Sequence, residues 1–289
     1  HLIAGTAGGF FATGALYPLE LVKTRMQVIN DNSGTYRSLT KSFRAVIRNE
    51  GFRGLYQGMF PALLAASGSW GGYFFFYEQS KARKKAAMVE GSLGTADILA
   101  SGVEAGVVMV LAFNPVWVVK TRLALQGAEN AGSARRYTGL VDCLRTIVRE
   151  EGVRGLYKGI VPALFLTSHG AIQFAIYELL KDLSKKYQGK TEQPPYISVL
   201  IGGTSKVIAS TVTYPYQLVK SKLQQRDEID PVSKETRRRY TGTLDCVKKV
   251  WRSEGAVGFF RGVLPNALKV APSAAITFLV YEESMKLLS

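Results

Sequence analysis

Six apolar, glycine-rich stretches alternate with polar ones along the chain, near residues 2–17, 58–77, 96–119, 159–180, 197–219 and 262–281. Each is close to the ~20 residues that a membrane-spanning helix needs. Between the first and second members of each pair lie amphipathic runs near 38–49, 139–150 and 242–253, whose spacing suits helices lying flat on a membrane surface. The alternation predicts an all-α membrane protein with six transmembrane helices and three short amphipathic helices. The mean hydropathy of +0.05 looks like that of a soluble protein only because the polar segments pull the average down.

The pattern repeats three times. Pro18-Leu19-Glu20-Leu21-Val22-Lys23, Pro115-Val116-Trp117-Val118-Val119-Lys120 and Pro215-Tyr216-Gln217-Leu218-Val219-Lys220 stand about one hundred residues apart, each at the end of an apolar stretch. Glu50-Gly51, Glu151-Gly152 and Glu254-Gly255 match in position, as do Gly54 to Gly58, Gly155 to Gly159 and Gly258 to Gly262. Each unit closes on Tyr-Glu: Tyr77-Glu78, Tyr177-Glu178 and Tyr281-Glu282. Residues 1–289 are therefore expected to form one domain of three units, 1–90, 91–190 and 191–289, around a pseudo-threefold axis.

Each proline removes a backbone hydrogen bond and kinks its helix. The acid and the lysine that follow sit three residues apart, on one helix face. Glycines four apart, Gly5 with Gly9 and Gly102 with Gly106, allow helix backbones to approach closely in lipid.

The net charge of +15 resides mostly in the three long loops inside the repeats. That bias orients the chain, with those loops on the side that retains positive charge, which in a mitochondrial inner membrane is the matrix side. No nucleic-acid-binding module accompanies the charge. The histidines are His1 and His169 and the cysteines Cys143 and Cys246, without catalytic or metal-ligand spacing. The reading is of a protein that is not an enzyme and has no metal or resident cofactor. The cysteines are expected to be small packing residues.

Basic and glycine residues at helix starts, Lys158-Gly159 and Arg261-Gly262, together with Tyr137-Thr138-Gly139 and Tyr240-Thr241-Gly242, suit the phosphates of a cardiolipin-like lipid. Repeat one departs from this pattern at Tyr36-Arg37-Ser38 and Tyr56-Gln57-Gly58. Glu104 and Lys206 lie near the middle of spanning helices, where a charge needs water or a partner. Two readings stand: the two residues are held structurally, by each other or by a carbonyl, or Lys206 meets a substrate anion that Glu104 balances. His169, Gln173 and Tyr73 offer hydrogen bonds and Trp70 a stacking face, with core packing the alternative for the aromatics.

The three copies of proline-x-acid-x-x-base, with their glycine and aromatic companions, resemble the mitochondrial carrier family over the whole chain. The strings around Ser69-Trp70-Gly71-Gly72-Tyr73, Pro115-Val116-Trp117, Ser168-His169-Gly170 and Tyr214-Pro215-Tyr216-Gln217 are most similar to the FAD/folate branch. Trp117 is shared with NAD and pyrimidine-nucleotide carriers, which remain the alternative. The resemblance implies a six-helix bundle that moves a small anionic solute, FAD or folate, by alternating access as a multi-pass protein of the mitochondrial inner membrane. The chain is expected to be monomeric.

The resemblance also implies a matrix gate from Glu20, Lys23, Trp117, Lys120, Gln217 and Lys220, braced by Gln27 and Gln224 but not by Ala124. Only one acid faces three lysines there, and Trp117 as lipid-facing packing is the competing reading. The opposite, cytoplasmic gate would use Tyr77, Glu78 and Lys81, Tyr177, Glu178 and Lys181, and Tyr281 with Glu282, where Met285 stands in the third base position. Substrate contacts would fall at Ala65, at Leu166 with Thr167, and at Lys269. Repeat two is one residue shorter between Gly159 and Tyr177, which makes Phe165 with Leu166 the other choice.

Overall fold

The computed structural model describes residues 2–29, 34–87, 94–128, 137–188, 195–229, 236–237, 239–270, 272–273 and 276. In repeat one, α1 (Leu2–Val28) runs through Pro18, α2 (Leu39–Gly54) is amphipathic and α3 (Met59–Ala86) follows. Repeat two has α4 (Thr95–Leu125) running through Pro115, α5 (Leu140–Glu151), α6 (Ile160–Phe165) and α7 (His169–Gln188). Repeat three has α8 (Pro195–Val212), α9 (Tyr214–Gln224), α10 (Thr243–Gly258) and α11, residues 263–270. A two-residue antiparallel ladder, β1 (Glu228–Ile229) with β2 (Thr236–Arg237), precedes α10.

The third proline does more than kink its helix. Pro215 falls in the first turn of α9, and Thr213 separates that helix from α8. A proline in the first turn loses a hydrogen bond that the turn lacks anyway, so the chain restarts cleanly there. The break in repeat two has another cause. Residues Leu166–Ser168 form a 3₁₀ turn between α6 and α7. A 3₁₀ turn rises about 2.0 Å per residue against about 1.5 Å in an α-helix. Three such residues span the length of four α-helical ones, which makes up the residue that this repeat lacks.

Three small cores repeat where α1, α4 and α9 each meet the amphipathic helix that follows. Tyr17, Leu21, Val22 and Met26 pack with Val46 and Leu55. Val118, Val119 and Leu123 pack with Cys143 and Ile147, and Leu218 and Val219 with Cys246, Val250 and Phe259. Both cysteines are buried and free, and burial pushes both thiols up to about 12, which keeps them protonated. Gly51, Gly152 and Gly255 have φ of 65 to 70° and turn the chain after each core, a conformation that favours glycine.

Large apolar side chains point outward elsewhere, among them Phe75, Phe174 and Leu200. Two described helical runs, Ala96–Leu125 and Val153–Tyr187, are long and apolar enough to cross a membrane, and a shorter apolar helix covers Ile197–Val212. The apolar part of α3 is diluted by Gly68, Ser69, Gly71 and Gly72. Two of those glycines serve packing: a Cβ at Gly68 would strike the Phe113 ring, and one at Gly72 the Met109 sulfur at 2.6 Å. Gly102 instead receives the Tyr73 hydroxyl, and Gly106 receives Thr167.

Candidate functional site

The prolines bring the three lysine-bearing turns to one axis, and three glycines lock them there. Gly58, Gly159 and Gly262 begin the second helix of each repeat with φ of 75 to 83°. A Cβ at Gly58 would lie 2.9 Å from the Lys120 carbonyl, at Gly159 3.0 Å from that of Lys220, and at Gly262 3.2 Å from that of Lys23. Each repeat therefore packs on the signature lysine of the next, and the third closes on the first. The residue before each proline adds a second tie within its repeat. Tyr17 donates to the Gln57 carbonyl at 2.7 Å, Asn114 to that of Leu156 at 2.8 Å, and Tyr214 to that of Arg261 at 2.9 Å.

Around the axis, the residue at each acid position meets the lysine of the following repeat. Glu20 accepts from Lys120 at 2.9 Å. The Lys220 ammonium sits 5.2 Å over the Trp117 ring. Lys23 donates to the Gln217 carbonyl oxygen at 3.1 Å. One ion pair, one cation–π contact and one hydrogen bond thus occupy three equivalent places, and Trp117 is turned to the axis rather than to lipid. One layer below, Thr121 donates to Gln224 at 2.9 Å and Ser221 to Gln27 at 2.8 Å. The sequence reading missed these hydroxyls, although one follows each signature lysine: Thr24, Thr121 and Ser221.

Each repeat also ties the end of its first helix to the Glu-Gly step. Arg25 pairs with Glu50, Arg122 with Glu151 at 2.9 Å, and Lys222 with Glu254 at 3.0 Å. Burial by itself would raise the Glu151 carboxyl, but the bonds and charges of Arg122 and Lys158 outweigh it and hold it below the ordinary carboxylate range.

Two cavities meet on the axis, of about 150 Å³ and 270 Å³. Among the described residues, they are together lined by Lys23, Lys120, Lys220 and Lys269 and by a single carboxylate, Glu20. Lys269 reaches the second oxygen of Glu20 at 2.7 Å, so this acid serves two lysines, one more than the sequence implied. His169 also faces the axis, and its Nδ1 lies 3.0 Å from the Thr213 hydroxyl. Lys206 is exposed and within electrostatic reach of both His169 and Lys269.

A model of the family described as mitochondrial carrier protein matches residues 1–86, 91–188 and 191–289. The chain belongs to the mitochondrial carrier family. Its members are membrane-embedded transporters. Folate transporter 1, chloroplastic, of Arabidopsis thaliana is 43% identical over 297 residues, covering 99% of this chain and 94% of that protein. Nicotinamide adenine dinucleotide transporter 2, mitochondrial, of the same plant is 37% identical, covering 98% and 78% respectively. The peroxisomal nicotinamide adenine dinucleotide carrier of that species is 32% identical, covering 98% and 94%.

Several expectations for this carrier need correction. Glu104 does not meet Lys206. It binds Lys84 at 3.0 Å, Arg83 at 3.1 Å and the Ser80 hydroxyl at 2.5 Å, at the seam between α3 and α4. Ala65 is fully buried, and Ala66, one residue on, lines the cavity instead. Thr167 turns its hydroxyl to the Leu164 carbonyl and packs on Gly106, which leaves Leu166 as the cavity-lining residue of that turn. Phe165 stacks outward on Tyr216. Tyr73 stacks on Tyr77 in the α3–α4 seam. Gln173 is half-buried on α7, and the Trp70 side chain lies outside the described residues.

In the two described sets of the expected cytoplasmic gate, acid and base pair along their own helix. Lys81 meets Glu78 at 3.1 Å over the Tyr77 ring, and Lys181 meets Glu178 at 3.4 Å near Tyr177. Tyr281 and Glu282 lie outside the described residues. On the surface, Lys158, Gly159, Tyr240 and Gly242 do converge on one cavity of about 470 Å³ between repeats two and three. Lys158 is already held there by Glu151 at 2.7 Å and Asp227 at 2.6 Å. Tyr137 is buried beneath the Arg226 guanidinium. The backbone N–H of Thr138, before Gly139, donates to Asp142, and Arg261 binds Glu254 beside Gly262.

Proposed function

We propose that this carrier moves an anionic cofactor, folate or FAD, across an organelle membrane by alternating access through six spanning helices. The observation that carries the reading is the surplus of lysine over carboxylate around the axial cavities. A low-dielectric cavity of one sign concentrates the opposite charge, and both the glutamate tail of a folate and the pyrophosphate of FAD supply it. Lys269 and Lys206 would hold that anionic group. His169 and Leu166 would line the path beside it.

The contacts among Glu20, Lys120, Trp117, Lys220, Gln217 and Lys23 form the matrix gate in this reading, with Gln27 and Gln224 beneath them. The tyrosine, glutamate and lysine sets of α3 and α7, with Tyr281 and Glu282, form the cytoplasmic gate. The cavity lined by Gly159 and Gly242 holds a phosphate of a cardiolipin-like lipid. Folate is favoured by the 43% identity to a folate transporter. A second reading, NAD as substrate, is favoured by relatives at 37% and 32% whose names give that dinucleotide. The mitochondrial inner membrane is the proposed location, although the relatives' names span chloroplast, mitochondrion and peroxisome.

Purified carrier in liposomes decides among these. Uptake of labelled folate, FAD, NAD and a pyrimidine nucleotide is measured side by side, with Lys269→Ala as control. Folate or FAD should enter fastest, and the variant should lose most of that uptake while remaining folded. Preference for NAD would establish the second reading. Uptake of none of the four, or full uptake by the variant, would overturn the assignment.

A further inference from the structure

The second helix of each repeat packs against the first helix of the next, and at two matched positions of those second helices repeat three carries polar side chains where the others carry apolar ones. Counted from the glycines that begin those helices, the fourth and seventh residues are Ala62 and Ala65 in repeat one and Ala163 and Leu166 in repeat two. In repeat three they are Asn266 and Lys269. Asn266 accepts from Lys23 at 2.7 Å, and Lys269 donates to Glu20 at 2.7 Å. Glu20 and Lys23 stand three apart on α1, and Asn266 and Lys269 three apart on α11, so the two contacts are successive rungs between antiparallel helix faces.

The amide of Asn266 is held in place for this task. Its nitrogen donates to the Ser210 hydroxyl on α8 at 2.6 Å, which leaves its carbonyl oxygen facing Lys23. Asn266 and Ser210 are both buried. Gln217 approaches the same hydroxyl at 3.5 Å and receives the same lysine. Repeat three lacks the signature acid, and this cluster places two neutral oxygens where the carboxylate would stand.

We propose that these two rungs form an anion-operated clamp between the last repeat and the first, with Asn266 as a positioning residue for transport. The proposal rests on the reading that an anion is the substrate. An anionic group of the substrate takes Lys269 from Glu20, while Glu20 keeps Lys120. The exchange leaves both Glu20 and Lys269 paired, so the rung opens without the cost that attends a broken ion pair. Once that rung is open, Lys23 is held by the neutral oxygens of Asn266 and Gln217 and by the Tyr214 ring 5.8 Å away, and neutral acceptors release it more readily than a carboxylate would.

The test uses the full carrier and two substitutions at one site. Asn266→Ala copies the alanines of the other seams, and Asn266→Asp turns the neutral rung into an ion pair. Unfolding temperatures are measured without substrate, and uptake kinetics with whichever anion the wild type transports. Asn266→Ala should unfold at a lower temperature. Asn266→Asp should unfold higher and turn over about tenfold more slowly, a loss of transport without a loss of stability that a merely structural asparagine would not give. Half-saturation should stay within about twofold of wild type in both, since Asn266 does not touch the substrate. A double-mutant cycle of Glu20→Gln with Lys269→Gln should show coupling in substrate-free protein that disappears at saturating substrate. Equal turnover and equal unfolding temperature in the two Asn266 variants would overturn the clamp. So would coupling that persists at saturation. If none of the tested anions is transported, the reading of the substrate fails instead, and the substrate-free stabilities and coupling still judge the two rungs.

Discussion

Restoring carboxylates to the axial ring should strengthen it and slow the carrier. The perturbation is the double variant Trp117→Asp with Gln217→Asp. At present Lys220 lies 5.2 Å over the Trp117 ring and Lys23 binds the Gln217 oxygen at 3.1 Å. A desolvated cation–π contact contributes about 2 kcal/mol, and a hydrogen bond to a charged group about 1.5–3. A carboxylate about 3 Å from a lysine attracts it by roughly 5 kcal/mol at an effective dielectric of ~20, and desolvation offsets much of this. The side chains of the existing Glu20–Lys120 pair are 22% and 6% exposed, so the new pairs would be partly wet and a net gain of about 1–2 kcal/mol per contact is expected. Two contacts should then raise the unfolding temperature by roughly 5–10 °C. If the ring must open in each cycle, about 2 kcal/mol of added closure slows turnover about thirtyfold. Unfolding in detergent and initial uptake rates in liposomes measure both quantities. A double variant no more stable than wild type and equally fast would refute the argument that these contacts close the gate.

Glu104→Gln should lower the unfolding temperature by loosening the α3–α4 seam and leave half-saturation unchanged, and Lys206→Ala should not rescue it. Lys206→Ala by itself should raise half-saturation with little change in unfolding temperature, as expected of an exposed lysine within electrostatic reach of His169 and Lys269. Gly262→Ala meets the Tyr214 hydroxyl at 2.7 Å and must hold a φ of 83°, so a loss of more than about 2 kcal/mol in unfolding free energy is expected. Stability should also fall with acid. Because the folded state lowers the Glu151 pKa, its contribution is complete above the ordinary glutamate value of ~4.3 and is lost as pH falls through the folded value. Unfolding curves from neutral pH down to about 3 should show this decline, and Glu151→Gln should show less of it at the cost of about 3 kcal/mol near neutrality.

Much of this carrier is legible in its sequence because the information is local and repeated. Proline, acid and lysine positions, the Glu-Gly steps and the apolar stretches each depend on a few neighbouring residues, and threefold recurrence separates them from chance. The single acid against three lysines was readable from residues 20, 117 and 217 alone. Which side chain meets which was not readable, because that choice depends on helix phase and on packing between distant segments. Glu104 looked like the partner of Lys206 from depth along the chain, yet the phase of α4 turns it to Arg83 and Lys84. Ala65 and Ala66 exchange places between core and cavity on a rotation of one residue. Asn266 left one sequence signal, an amide where the other repeats have alanine. Its meaning appears only when the ring closes and brings the last repeat against the first, within 2.7 Å of Lys23 and 243 residues away along the chain.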